Sequence, residues 1–270
     1  MIQQRLFSLM KNLLPRSVSF RLRYAKSEIV DTEMRALKKI AACLGGKDQY
    51  AIDVGANWGI YSRALSEKFD QVLCIEPNPA CAQYLRSVLA VNCTVIDAAA
   101  SNKDEYRNLR VPVSANTAET TRGTISERNT FDDLDVVTVQ ENRVHCIRLD
   151  ETATGLATGP GRVALIKVDV EGHELEAVQG AEGILKRHKP VLFVELEERH
   201  GTRTAELREL TARYGYKTYV FADDRTHSAA SSGSAKPAAD GGAVNVIFMA
   251  ETVDQAAQQA RLKPLLVPLV

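Results

Sequence analysis

The chain has 270 residues, of which 45% are hydrophobic and 25% charged, a balance typical of a globular protein with a sizeable core. Its 34 basic residues equal its 34 acidic residues, so the formal net charge is zero. This balance disfavours nucleic acid as a partner, because such binding needs a clustered excess of Lys and Arg. The five cysteines form an odd count without zinc-ligand spacing, which predicts reduced thiols in a cytoplasmic protein.

Residues 1–47 are predicted to form an N-terminal helical segment. Apolar residues of its first part share one helical face, and basic residues follow them: Leu6, Leu9, Met10, Leu13 and Leu14, then Arg16, Arg21 and Arg23. This face predicts packing on the domain or on a second copy in a homodimer, and peripheral contact with a membrane is the alternative. No apolar stretch reaches the ~20 residues that a membrane span requires. A second helix is predicted from a cap at Asp31 to a stop at Gly45.

Residues 48–250 are predicted to form the main domain, in which strands and helices alternate. Strands are predicted at 50–54, 72–76, 94–97, 163–169, 191–195, 217–221 and 244–249, and helices at 60–69, 80–90, 174–188 and 205–214. This alternation predicts an α/β protein with a Rossmann-like fold. Its mostly parallel, seven-stranded sheet carries helices on both faces and an antiparallel C-terminal edge pair.

Three regions interrupt or follow this alternation. Residues 98–148 contain short β segments between polar, Thr-rich stretches and are predicted to be a β-rich insertion. The Ser-, Gly- and Ala-rich residues 229–242 are predicted to be a flexible loop between the last two strands. Residues 251–270 are predicted to be a C-terminal tail with a short helix and a loose end.

The first predicted strand ends in a glycine bend that reads Asp53-Val54-Gly55-Ala56-Asn57-Trp58-Gly59. In such a sheet the ligand binds beyond the carboxyl ends of the strands, where glycines let the backbone approach it closely. The glycine spacing differs from the dinucleotide pattern, and Asp53 suits a ligand that carries an ammonium group. S-adenosylmethionine carries one and is the predicted cofactor; a glycine turn without a ligand is the alternative.

The next two strand ends are predicted to bind the adenosine part of this cofactor. Glu76 ends the second strand about twenty residues after the glycine bend, where an acidic residue can accept hydrogen bonds from both ribose hydroxyls. Asp97 and Ala98 follow the third strand. Asp97 is predicted to accept from the adenine amine, and the small side chains beside it leave room for a flat base.

The fourth strand end, Asp169-Val170-Glu171-Gly172-His173, carries the predicted catalytic residues. Asp169 is expected to face the methyl donor, and Glu171 and His173 the acceptor. A helix N-terminus favours neutral imidazole, which can accept a hydroxyl proton, so His173 is predicted to be the general base or a positioning donor. Glu195 is expected near the acceptor or as a satisfied strand-end carboxylate. Asp169, His173 and Glu195 could also bind a metal, but no metal-ligand motif supports it and none is predicted.

These strand ends resemble those of the FkbM family of methyltransferases. The similarity covers roughly residues 48–200 and rests on the glycine bend, Ile75 to Pro79, Ile166 to Glu174, and Val194-Glu195. It implies a Rossmann-like methyltransferase fold, S-adenosylmethionine as cofactor, and mostly O-methylation of sugars and secondary metabolites. It places Asp53, Gly55 and Asn57 at the methionine end, Glu76 at the ribose, and Asp169, Glu171 and His173 around the transfer site.

The sequence therefore predicts an S-adenosylmethionine-dependent O-methyltransferase whose acceptor is a small molecule or a carbohydrate. An NAD-dependent oxidoreductase is an alternative that the glycine spacing disfavours. A non-catalytic binding protein that retains the cofactor fold is another, which the intact polar strand ends disfavour. A nucleic-acid methyltransferase is disfavoured by the neutral charge and by the absence of an Asn/Asp-Pro-Pro-aromatic motif.

Overall fold

The computed structural model of the chain describes residues 14–114, 122–131, 136–152, 161–196, 203–222, 244–252 and 255–269. The predicted loop at 229–242 and the apolar residues Leu6 to Leu13 of the N-terminal segment lie outside these ranges. Within the described residues, no helix is long and apolar enough to cross a membrane. All five cysteines are free thiols.

Two helices precede the main sheet, α1 (Arg16–Val30) and α2 (Thr32–Leu44). The side chain of Asp31 caps α2 by accepting hydrogen bonds from the backbone N–H groups of Glu33 and Met34, as the sequence predicts. One face of α2 is buried against the sheet through its apolar residues: Leu37, Ile40, Ala41 and Leu44. The helix therefore lies against the strands whose ends form the site.

Eleven strands are present in the described residues, in two sheets. They are β1 (Gly46–Val54), β2 (Phe69–Ile75), β3 (Cys93–Ile96), β4 (Ala99–Ala100), β5 (Glu105–Ser114), β6 (Val136–Ile147), β7 (Arg162–Val168), β8 (Val191–Leu196), β9 (Tyr216–Phe221), β10 (Val244–Ala250) and β11 (Leu266–Pro268). The main sheet has the order β11-β9-β10-β8-β7-β1-β2-β3. Strands β3, β2, β1, β7 and β8 are parallel neighbours, whereas β10 is antiparallel to both β8 and β9.

The observed sheet corrects the prediction at its C-terminal edge. It has eight strands rather than seven, because β11 pairs with β9 in a region predicted to be a loose end. The antiparallel strands β9 and β10 consequently do not form the edge pair: β10 lies inside the sheet and β11 is at the edge. Strand β11 has three residues, too few to show a period-two pattern, and its Pro268 is tolerated because edge strands leave one side unpaired.

Helices cover both faces of the main sheet. The remaining helices are α3 (Ile60–Ser66), α4 (Pro79–Val88), α5 (Leu149–Thr152), α6 (Glu174–Gln179), α7 (Glu182–His188), α8 (Thr204–Ala212) and α9 (Ala256–Leu262). One buried apolar cluster joins the sheet to α6, α7 and α8, and another joins it to α2, α3, α4 and α9. The single helix predicted at 174–188 is two short helices separated at Gly180 and Ala181.

A second sheet of order β4-β6-β5 occupies the region that was predicted to be β-rich. Strands β5 and β6 form a long antiparallel pair, so the strands of this region are longer than the short β segments predicted for it. Ile125, from the described segment 122–131, packs against Leu109 and Val111 of β5 in a small core of this sheet. This brings the segment to the mouth of the cleft described below.

Gly180 sets how closely α6 approaches the segment that connects the two sheets. A Cβ atom there would lie 2.0 Å from the backbone carbonyl oxygen of Ser101, and a side-chain rotation cannot relieve such an overlap. We expect Gly180→Ala to lower the free energy of unfolding by about 3 kcal/mol. Gly215→Ala is the control: its space is open, and only its positive φ of 79° opposes a side chain. The substitution Gly215→Ala should lower the free energy of unfolding by about 1 kcal/mol. Urea unfolding of both variants measures the difference, and equal midpoints would contradict the packing argument.

Candidate active site

The carboxyl ends of β1, β2 and β7 open into a cleft with about 680 Å³ of space, part of it open to solvent. One wall is polar and the other is mostly apolar. The polar wall contains Gly55, Asn57, Glu76, Asn78, Asp169, Glu171 and His173. The apolar wall contains Cys81, Ala99, Ala100, Leu109, Gly123 and Ile125.

The glycine bend ties the ends of three strands together. The backbone N–H groups of Gly55 and Ala56 donate to the carbonyl oxygen of Ile75 at 3.0 and 3.1 Å, which fixes the end of β1 against β2. Gly55 has a φ of 80°, and a Cβ atom on it would lie 1.8 Å from the carbonyl oxygen of Asp169 after β7. Glycine is therefore required here by the protein's own backbone as well as by any ligand.

Glu76 is held in a fixed orientation at the floor of the cleft. Its two carboxylate oxygens accept hydrogen bonds from the backbone N–H groups of Asn57 at 2.7 Å and Asn78 at 2.8 Å. Burial raises the pKa of Glu76 to about 7, although these two hydrogen bonds act in the opposite direction. Each oxygen keeps a second lone pair, so the side chain can accept two further hydrogen bonds from a diol.

Lys167 is a buried ammonium group directly behind the cleft. Its Nζ lies 3.0 Å from Oδ2 of Asp169 and 3.7 Å from Oδ1 of Asp53, and 4.5 Å from the ring centre of Tyr61. Burial alone would lower the pKa of Lys167, but the two carboxylates outweigh it and raise the pKa above its ordinary value. The lysine therefore stays charged and fixes the Asp169 carboxylate, whose side chain is 25% exposed.

A second polar group lies beside Asp169, on the side of the sheet that α2 and α3 cover. Burial, with the neighbouring Asp169 and Glu33, raises the pKa of Glu195 to about 10, so Glu195 carries a proton at neutral pH and hydrogen-bonds Asp169. Tyr61 of α3 donates its hydroxyl to carboxylates at the start of α2, with Glu33 at 3.1 Å and Asp31 at 3.2 Å. Glu33, Tyr61, Asp169 and Glu195 are all partly exposed. We call these four residues the acidic rim.

His173 is buried and both of its ring nitrogens face protein groups. Nε2 lies 3.0 Å from Oγ of Ser101, and Nδ1 lies 3.7 Å from Oε2 of Glu176. Burial lowers the pKa of His173 to about 4, and Glu176 only partly offsets this, so the imidazole is neutral. The neutral form agrees with a base, but its position, with a side chain only 3% exposed, favours the positioning role.

The turn after β7 is held by the segment 122–131. Glu171 has a left-handed backbone with a φ of 55°, and its carbonyl oxygen accepts hydrogen bonds from Thr124 Oγ1 at 2.8 Å and Asn129 Nδ2 at 3.1 Å. Arg128 of the same segment pairs with Glu176 of α6 at 3.0 Å. These bonds set the backbone from Glu171 to His173.

The structure brings six of the predicted site residues together in the cleft and places four elsewhere. Gly55, Asn57, Glu76, Asp169, Glu171 and His173 line it. Asp53 is fully buried on the opposite side of β1 from Val54, where it accepts a hydrogen bond from Ser62 Oγ at 2.5 Å. Gly59 begins α3 against Leu85, and Ala98 is in the core. Asp97 pairs with Arg86 on the surface, with Oδ2 and Nη1 3.1 Å apart.

Several residues of the site were not predicted from the sequence. Lys167 could have been found, since a lysine inside an otherwise apolar strand signals a buried partner. No such signal marks the other unpredicted residues, because they lie in a region without clear periodicity: Leu109, Thr124, Ile125 and Asn129. Within the described ranges, no group of three His, Cys, Asp or Glu residues has an arrangement that could hold a metal ion.

The mostly parallel sheet and the glycine bend next to an acidic strand end define a Rossmann-like protein whose cleft is of the type that holds a nucleoside cofactor. The family model of the methyltransferase FkbM domain matches residues 53–218. The chain belongs to this methyltransferase family, which confirms the resemblance noted in the sequence. The family implies S-adenosylmethionine as the methyl donor.

Solved structures of methyltransferases are similar in fold to the chain. Methyltransferase FkbM from Methylobacillus flagellatus KT is 21% identical with a TM-score of 0.42, and the match covers 75% of this chain but only 44% of that chain. An rRNA methylase from Streptococcus thermophilus is 8% identical with a TM-score of 0.45, covering 83% and 99%. TYW2 from M. jannaschii in complex with AdoMet is 14% identical with a TM-score of 0.41, covering 83% and 78%. No curated protein matches the chain.

The raised pKa of Glu76 predicts a pH-dependent affinity for the cofactor. Ribose hydroxyls donate to the ionised carboxylate, so protonation of Glu76 below about pH 7 removes an acceptor. We expect the Kd of S-adenosylhomocysteine to be constant above pH 7 and to rise by up to about tenfold for each pH unit below it. Calorimetry at several pH values measures this. Glu76→Gln should bind weakly with a flat profile, and Asp97→Asn should keep the wild-type profile; an unchanged profile in Glu76→Gln would contradict the assignment.

Proposed function

We propose that this protein transfers a methyl group from S-adenosylmethionine to a hydroxyl group of a sugar or another polyhydroxylated small molecule. The observation that carries the proposal is the position of Asp169. Its carboxylate lies in the cleft beside the glycine bend and is held from behind by Lys167 at 3.0 Å. Asp169 is also part of the acidic rim, whose oxygens can accept hydrogen bonds from hydroxyl groups.

The chemistry of the cleft fits the cofactor part by part. The fixed carboxylate of Glu76 suits the ribose diol, and the apolar wall of Leu109, Ile125 and the two alanines suits a flat base. The bend at Gly55 and Asn57 gives close backbone approach for the amino-acid part. When bound, the sulfonium supplies an activated methyl group at the end of the cleft near Asp169.

The acidic rim fits an acceptor rich in hydroxyl groups. Carboxylates accept hydrogen bonds from hydroxyls, and the oxygens of Glu33, Asp169 and Glu195 keep lone pairs that sugar hydroxyls can use. The proton of Glu195 is bound to Asp169 and that of Tyr61 to the carboxylates at the start of α2, so the rim chiefly accepts hydrogen bonds. Lys167, a cation that contacts the rim, is almost fully buried and faces Asp169 and Asp53 rather than solvent. An anionic acceptor would therefore meet a surface of like charge.

Asp169 is the group that we assign to receive the acceptor proton. The acceptor oxygen would take the methyl group of bound S-adenosylmethionine, and the sulfur would keep the electron pair of the carbon–sulfur bond. The hydroxyl proton passes to the Asp169 carboxylate and then to water. Much of the rate comes from alignment of the acceptor oxygen behind the methyl group. His173 and Glu171 act by holding the turn that carries Asp169, since His173 is bound to Ser101 and the Glu171 carbonyl to Thr124.

We expect Asp169→Asn to lower kcat by about 100-fold to 10,000-fold, because the amide cannot accept the proton. Affinity for S-adenosylhomocysteine should fall much less. Asp97→Asn is the matched control, since Asp97 is exposed and paired with Arg86. The assay uses methyl-labelled S-adenosylmethionine and a panel of sugars, with mass spectrometry to locate a base-stable methyl ether. Full activity in Asp169→Asn would contradict its role.

The class of enzyme is tested separately by calorimetry with S-adenosylhomocysteine and with NAD. We expect binding of the first and none of the second. Glu76→Ala should abolish binding of S-adenosylhomocysteine, because the substitution removes the carboxylate that accepts hydrogen bonds from the ribose diol. Binding of NAD alone would favour the oxidoreductase alternative. Binding of S-adenosylhomocysteine together with a failure to methylate any hydroxyl compound would favour a cofactor-fold binding protein.

A further inference from the structure

Helix α1 carries an apolar stripe on its solvent side. Val18, Leu22, Ala25 and Ile29 recur at spacings of three and four residues and so share an arc of about 60°. All four are exposed, with Leu22 at 59% and Ile29 at 76%, and the exposed Leu14 immediately precedes the helix. Five of the nine large hydrophobic side chains that are exposed in the described residues lie between residues 14 and 30. We call Val18, Leu22, Ala25 and Ile29 the α1 stripe.

The α1 stripe is not the face by which the helix packs on the domain. The opposite face of the helix carries Phe20 and Tyr24, which are buried. The ring of Phe20 makes an edge contact with the ring of Tyr84 in α4. Arg23 lies over the ring of Trp58 in the glycine bend, 5.1 Å from its centre. The helix is thus attached to the protein by one face, and its second apolar face is exposed in the part of the chain that the structure describes.

Basic side chains flank the α1 stripe. Arg21 lies on one side and Lys26 on the other, and both are exposed. The whole helix contains four basic residues, Arg16, Arg21, Arg23 and Lys26, and one acidic residue, Glu28. An apolar stripe with a basic border matches a bilayer surface that contains anionic lipids, where the apolar side chains enter the acyl boundary and the basic groups meet the headgroups.

A second copy of the chain fits this surface less well. Two α1 helices in contact would bring their basic borders together, which is repulsive. Four side chains per copy also fall far short of the roughly 20–30 residues on each side of a stable interface. The helix is about 22 Å long and is too short and too polar to span a bilayer. It can therefore bind a membrane only by lying along the bilayer surface.

We propose that α1 binds anionic membrane surfaces through the α1 stripe and its border of Arg21 and Lys26, with the helix axis parallel to the bilayer. The contact of Arg23 with Trp58 connects this helix to the glycine bend, so the cleft is held next to the membrane when α1 is bound. This binding is independent of which acceptor the enzyme methylates.

The test is sedimentation of the full chain with vesicles of phosphatidylcholine alone and of equal parts phosphatidylcholine and phosphatidylglycerol. We expect binding to the anionic vesicles that is at least tenfold stronger and is reduced by salt. Leu22→Ser with Ile29→Ser should weaken it tenfold or more. Arg21→Gln with Lys26→Gln should weaken it about 25-fold, at about fivefold for each charge.

Val91→Ser with Val137→Ser is the matched control, because these valines are exposed on segments other than α1 and should leave binding unchanged. All variants should keep the wild-type Kd for S-adenosylhomocysteine, which separates this proposal from the proposed function. The membrane proposal would be overturned if the stripe variant, Leu22→Ser with Ile29→Ser, sedimented with vesicles as the wild type does. It would also be overturned if the wild type bound neither kind of vesicle. A dimer in analytical ultracentrifugation that the stripe variant abolishes would overturn it in favour of self-association.

Discussion

The site depends on the ion pairs that the buried ammonium group of Lys167 forms with Asp53 and Asp169. Removing a charge from water costs several kcal/mol, and the cost is met only when opposite charges are fixed close by. Asp53 at the end of β1 and Asp169 after β7 supply them, at 3.7 and 3.0 Å. The two strand ends and the carboxylates of Asp53 and Asp169 are therefore positioned by one side chain.

The glycine bend completes this arrangement from the other side. Because Gly55 lacks a Cβ atom, the carbonyl of Asp169 can lie against β1, and the bend then reaches Glu76 through the N–H of Asn57. Glu76 and Asp169 are thus connected through the backbone of the glycine bend. The protonated Glu195 extends this connection toward the acidic rim, so one proton is shared where two carboxylates would repel each other.

The N-terminal helices connect this site to two different surroundings. Helix α2 brings Glu33 to the acidic rim, which we propose as the acceptor site, although the helix precedes the matched family domain, which begins at residue 53. Helix α1 contacts the bend through Arg23 and Trp58 and carries the uncovered stripe. Both proposals, on the acceptor and on the membrane, therefore involve residues that precede the matched family domain.

The sequence by itself determined the family, the order of most strands, and the ends at which Gly55, Glu76 and Asp169 occur, because local periodicity and glycine or acidic residues at strand ends are short-range signals. Only the tertiary structure decided that Asp53 faces Lys167 rather than the cleft, and that His173 is bound to Ser101. It also decided that Ile125 and Leu109 form the apolar wall and that β11 extends the sheet. These facts depend on contacts between residues far apart in the chain, whose energies are fixed by packing and desolvation and leave no periodic trace in the sequence.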